Sequence, residues 1–174
     1  MSVVINGSAG VTTNSGAVYD SLQRGTVSTA TGGTSIEFTS IPSWVKRITL
    51  MLAGVSLSGA DSLLIQIGSG SFATSGYSGG GARLGASSVA AATFTTGFTL
   101  NNATAASVVS GNIIITNVTG NTWSANGICG ETSGEFICMT GGFIALGGAL
   151  DRVRITSTGA STFDLNSGIN IIYE

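Results

Sequence analysis

Apolar and polar residues alternate along this chain in short runs, and Gly, Asn and Ser separate one run from the next. Thr34-Ser35-Ile36-Glu37-Phe38 alternates and stops near Ser40. A longer run follows at residues 44–56, with Ile48, Leu50 and Leu52 on one face and Arg47, Thr49 and Met51 on the other. Pro42 stands just before it, where a missing N–H costs no ladder bond. Period-two runs bounded by turn residues predict strands. Further strands are predicted at 63–67, 92–100, 108–118, 122–129, 136–146, 152–157, 162–165 and 169–173. Residues 68–85 contain seven glycines and predict a long surface loop. No segment carries a sustained 3.6-residue period with caps, so almost no helix is expected. The expected fold is all-β, a jelly-roll-like antiparallel β-sandwich. Apolar residues are sparse in the first 33 positions, too sparse to build a core there. We expect an extended N-terminal arm over 1–33, for attachment or oligomerisation, and a sandwich head over 34–174.

Composition narrows the function. The 174 residues include 27 Gly, and only 8% are charged, against roughly 25% in ordinary soluble domains. There is no His, so neither a Ser-His-Asp triad nor an HExxH zinc site can be built. The single Lys, Lys46, follows Val45 rather than Gly, which excludes a Walker A loop. These absences predict a protein that is not an enzyme and takes no cofactor or metal. Net charge is −2 with the basic residues scattered, so nucleic acid is not an expected partner. Residues 84–130 are uncharged, but they are as rich in Ser, Thr, Asn and Gly as in Val or Ile. Such a segment does not make an apolar span of roughly 20 residues, and no membrane insertion is expected. The start, MSVVINGSAG, lacks the basic and apolar regions of a signal peptide.

Several motifs carry little chemistry. Gly76-Tyr77-Ser78-Gly79-Gly80 has the letters of a nucleophile elbow, but it lacks a histidine partner and a strand–turn–helix setting. Asn6, Asn102 and Asn117 open glycosylation sequons that a chain so rich in Ser and Thr meets by chance. A hydrolase would have to draw on Asp20, Glu37, Asp61, Glu131, Glu135, Asp151, Asp164 and Glu174, whose spacings suggest no pair. Glu131 and Glu135 read as a solvated hairpin end. A two-residue turn at Ser133-Gly134 would set Ile128 opposite Met139 and Cys129 opposite Cys138. A Cys129–Cys138 disulfide and two buried free thiols are the alternatives, and the sequence leaves both open. Trp44 and Trp123 read as core residues. Tyr77, within the glycine-rich segment, is the candidate exposed aromatic for glycan or receptor contact.

Residues 35–54, SIEFTSIPSWVKRITLMLAG, resemble a recurrent segment of small virion proteins of tailed bacteriophages, in which an Ile-[Asp/Glu]-Phe-Thr strand leads into Ile-Pro-Ser-Trp-Val-Lys-Arg-Ile. INGSAGVTTNSG near the start, Arg24-Gly25-Thr26, Thr74-Ser75-Gly76-Tyr77 and the ending GINIIYE are further resembling pieces. The resemblance implies a tail-fibre, tail-tip or head-appendage protein, a β-sandwich assembled as a homotrimer with other virion proteins as partners. It would be made in the bacterial cytoplasm and carried on the virion. A host-attachment role at the tail leads, with capsid decoration or a head fibre next and a stand-alone lectin as the reading from another class. No catalytic residues are implied, and the candidate ligand is a host-surface glycan.

Overall fold

A computed structural model describes residues 3–6, 10–13, 16–17, 22–29, 32–101, 104–132, 136–165 and 167–174. None of them is helical. Five short strands come first: β1 (Val3–Asn6), β2 (Gly10–Thr13), β3 (Gly16–Ala17), β4 (Gln23–Arg24) and β5 (Ser28–Thr29). The body starts with β6 (Ser35–Thr39), β7 (Arg47–Val55), β8 (Leu63–Ser69), β9 (Ser71–Phe72) and β10 (Ser78–Leu84). It continues with β11 (Val89–Phe94), β12 (Phe98–Leu100), β13 (Val109–Thr119) and β14 (Thr122–Glu131). β15 (Phe136–Ala145), β16 (Arg152–Ser157) and β17 (Gly168–Tyr173) complete it.

Two antiparallel sheets pack as a β-sandwich. The nine-stranded sheet runs β11-β10-β15-β14-β13-β7-β17-β4, with β5 also on β17. The five-stranded sheet runs β12-β8-β16-β6, with β9 on β8. Alternation decides which side chains meet between them. Ile48, Leu50, Ile113, Ile115 and Ile144 point in from the larger sheet, and Ile65, Ile67, Val153 and Ile155 from the smaller; all are buried. Each such side chain contributes roughly 1.5–3 kcal/mol when fully buried. Phe163 closes the core from a single bridge to Leu57.

Local chemistry sets the turns. Gly120 takes a φ of 52° between β13 and β14, and Asn117 Nδ2 donates to the carbonyls of Gly120 and Thr122 at 2.9 and 3.2 Å. The sequon asparagine thus braces the turn from the end of β13. The next hairpin has the expected register, with Ile128 opposite Met139 and Cys129 opposite Cys138.

Three expectations are corrected. The glycine-rich segment 68–85 is largely strand, because its glycines face other glycines: Gly79 pairs with Gly142 and Gly80 with Gly141. A Cβ on Gly79 would stand 2.5 Å from the Gly141 carbonyl oxygen, so glycine here permits close strand pairing rather than a loop. Trp44 is 43% exposed instead of buried, because it sits in the turn before β7, outside the alternating register. Tyr77 is 3% exposed instead of presented to solvent, and its ring fills core space against Phe98, edge to face at 5.0 Å.

Much of 1–33 lies outside the described residues. β1, β2 and β3 form their own antiparallel sheet. β4 and β5 hydrogen-bond to β17, with Arg24 opposite Ile172 and Thr29 opposite Gly168.

Candidate functional site

The chain leaves β6 through Ser40, held at φ 61°, and turns at Pro42, whose carbonyl accepts from Val45 N–H at 3.1 Å. That turn places Trp44 at the surface. Its ring lies 6.0 Å from the Tyr173 ring at 52°. The C-terminal residue pins the corner: Lys46 and Arg47 N–H groups donate to the Glu174 carbonyl at 2.8 and 2.9 Å. Arg47 Nη1 also stands 3.1 Å from Glu174 Oε1, both side chains half exposed. Beyond Tyr173 opens a cleft of about 400 Å³ between residues 25–28 and β6, with Glu37, Phe38 and Thr39 on its far wall. An aromatic face flanked by a guanidinium and a carboxylate can stack on the apolar face of a sugar ring and hydrogen-bond its hydroxyls.

The second group of chemical interest is buried. Glu131, expected at a solvated hairpin end, is 4% exposed. Ser107 Oγ donates to one carboxylate oxygen, and Cys138 Sγ approaches the other at 3.5 Å. Alternation turned Glu131 inward, and hydrogen bonds make that burial tolerable. Glu135 lies outside the described residues. Cys138 Sγ also donates to the Asn101 carbonyl at 2.9 Å. Both cysteines are free thiols. Burial pushes Cys129 up to about 11. Burial and then the neighbouring Glu131 carboxylate push Cys138 up to about 12. Thiols held this far above neutral pH are not nucleophiles. Arg83, across the strand pair from Cys138, lays its guanidinium 4.3 Å over the Phe136 ring.

Three further carboxylates fasten loops. Asp61 accepts from Ser161 Oγ at 2.6 Å and Ser161 N–H at 2.9 Å, and these bonds hold it below the usual carboxylate range. Asp151 is held low chiefly by Arg152 Nε at 2.7 Å. Asp164 accepts from Ser56 Oγ at 2.6 Å. Among the described residues, no three His, Cys, Asp or Glu side chains are grouped to hold a metal.

Tyr77 is structural. Its hydroxyl accepts from Ile67 N–H at 2.9 Å and donates to the Ile67 carbonyl at 3.2 Å. The aromatic pair at the surface is Trp44 with Tyr173, which sequence reasoning missed; the pre-strand Pro-Ser-Trp turn was the available signal. No family model matches the chain, no curated protein matches it, and no solved structure matches it.

Proposed function

We propose that the chain is a non-enzymatic structural protein of a tailed-bacteriophage particle, assembled as a homotrimer. The head, 34–174, contacts the host surface, and residues 1–33 attach the protein to the particle. The observation that carries this reading is residues 35–54, where the resemblance to virion proteins is most specific. This one segment supplies an edge strand of the smaller sheet, the Trp44 corner, and β7 within the larger sheet. A head with few charges also keeps its stability nearly independent of salt, which suits a particle that meets changing media.

The Trp44–Tyr173 corner favours a glycan as the host ligand, and the same corner supports the lectin reading. Purified protein added in excess to host cells should block adsorption of the phage, and Trp44→Ala should lose that block while keeping its fold. Adsorption unchanged by the wild-type protein would refute host attachment and leave capsid decoration or a head fibre.

A further inference from the structure

We infer that the outer face of β10, β11, β13, β14 and β15 is covered by a second copy of this chain. This deepens the self-association proposed above by naming the surface that carries it.

The face is apolar where a solvated sheet would be polar. Val89 lies opposite Leu84, which lies opposite Ile137. One row along, Ala82 lies opposite Met139, which lies opposite Ile128. Ile128 is 66% and Val89 70% exposed, with Phe143 half exposed on the same face. On β10, β11, β13, β14 and β15 the only charged residues are Arg83 and Glu131. Both occupy inward positions, as their pairing with Cys138 and Phe136 requires.

The glycines give an independent indication. Inward glycines are required by the subunit itself. A Cβ on Gly81 would stand 2.5 Å from the Thr99 carbonyl oxygen, and one on Gly127 2.8 Å from Ile113. Two outward ones, Gly130 and Gly141, are not. A Cβ on Gly130 meets nothing within 4 Å, and one on Gly141 only the Ala125 carbonyl oxygen at 3.8 Å. Neither has a left-handed φ. Glycine inside a strand weakens it and marks a place where another backbone comes close. Here no backbone among the described residues of the same chain comes that close.

Two considerations make the occupant another copy. Five strands about 4.8 Å apart, over six residues of about 3.3 Å rise, offer roughly 500 Å². Two such faces bury about 1,000 Å² in total, the least a specific interface needs. The face offers both halves of a contact: bulky Phe143 and Ile137 flank a trough of Gly80, Ala82 and Gly141, so the ridge of one copy seats in the trough of the next, the head-to-tail arrangement that three copies need to close. In such a contact no charge is left unpaired, and interfaces between identical chains are the more apolar kind.

Sedimentation equilibrium of the full chain tests this, with the Ile128→Lys/Ile137→Lys double variant and Gly130→Val alongside. The wild type should exceed one chain mass. The double variant should run at one chain mass with an unchanged β-sheet circular dichroism spectrum. Gly130→Val should weaken association at least tenfold with no loss of thermal stability. A monomeric wild type overturns both this inference and the self-association behind it. An oligomeric wild type whose variants associate equally well overturns the face alone. A Gly130→Val subunit that loses fold stability overturns the glycine argument, because its own chain would then need the glycine.

Discussion

Replacing Tyr77 by Phe removes one oxygen atom and tests how the open end of β8 is satisfied. In the wild type that oxygen serves both the N–H and the carbonyl of Ile67. The carbonyl keeps a second donor, Ala73 N–H at 3.0 Å. The N–H is left buried without its acceptor, at a cost of about 1–3 kcal/mol. For a domain of this size that lowers Tm by about 2–4 °C per kcal/mol. Alkaline pH supplies a second signature. Burial raises the phenol from 10.0 to about 12. The unfolded phenol titrates first, so this contribution is complete below pH 10 and is lost as pH rises through 12. By pH 11 about 1.4 kcal/mol of it is gone, and above pH 12 about 2.7 kcal/mol. Cys129 and Cys138 titrate alike in both proteins and cancel in the comparison. Urea unfolding at pH 8, 10 and 11 should show Tyr77→Phe less stable at pH 8, with the gap closing by pH 11. A gap independent of pH, or no gap at pH 8, would refute the reasoning.

Gly111 is held at φ 152°, and a Cβ there would lie 2.8 Å from Cys129 Cα, so Gly111→Ala should cost about 2–4 kcal/mol in the same urea assay. Phe163→Ala, which empties a fully buried site at the single bridge between residues 57 and 163, should cost about 3–5 kcal/mol. At pH 8, iodoacetamide should alkylate Cys129 and Cys138 in the native protein at least about 100-fold slower than in urea, since a two-unit rise removes that much thiolate; mass spectrometry of timed samples checks it.

Alternation alone located most of the strands, and the face of β7 that carries Ile48, Leu50 and Leu52 is the buried one. The two-residue turn expected at Ser133-Gly134, which lies outside the described residues, was enough to place Cys129 opposite Cys138, because hairpin register follows from loop length. Four other features depended on tertiary context. Glycine reads as loop, yet Gly79 and Gly142 face each other across a ladder, where a side chain on either would collide with the other strand. Tyr77 stands among glycines and looked exposed, but its hydroxyl was needed at Ile67 and its ring in the core. Trp44 looked like core because it adjoins a strong strand, whereas the Pro42 turn takes it out of register. Glu131 follows the inward parity of its strand despite its charge. The apolar outer face had a visible sign: in residues 136–145 both the odd positions, Ile137, Met139 and Phe143, and the even ones, Cys138 and Ile144, are apolar. A strand apolar on both sides has two partners to satisfy, and among the described residues only one is supplied.

The central claim is that this chain is part of a phage particle, and immunogold electron microscopy of purified particles tests it most directly. An antibody raised against residues 34–174 should label intact particles at a fixed site, at the tail for a host-attachment protein or over the capsid for a decoration protein. Particles that carry no label, from a lysate in which the chain is expressed, would contradict the account.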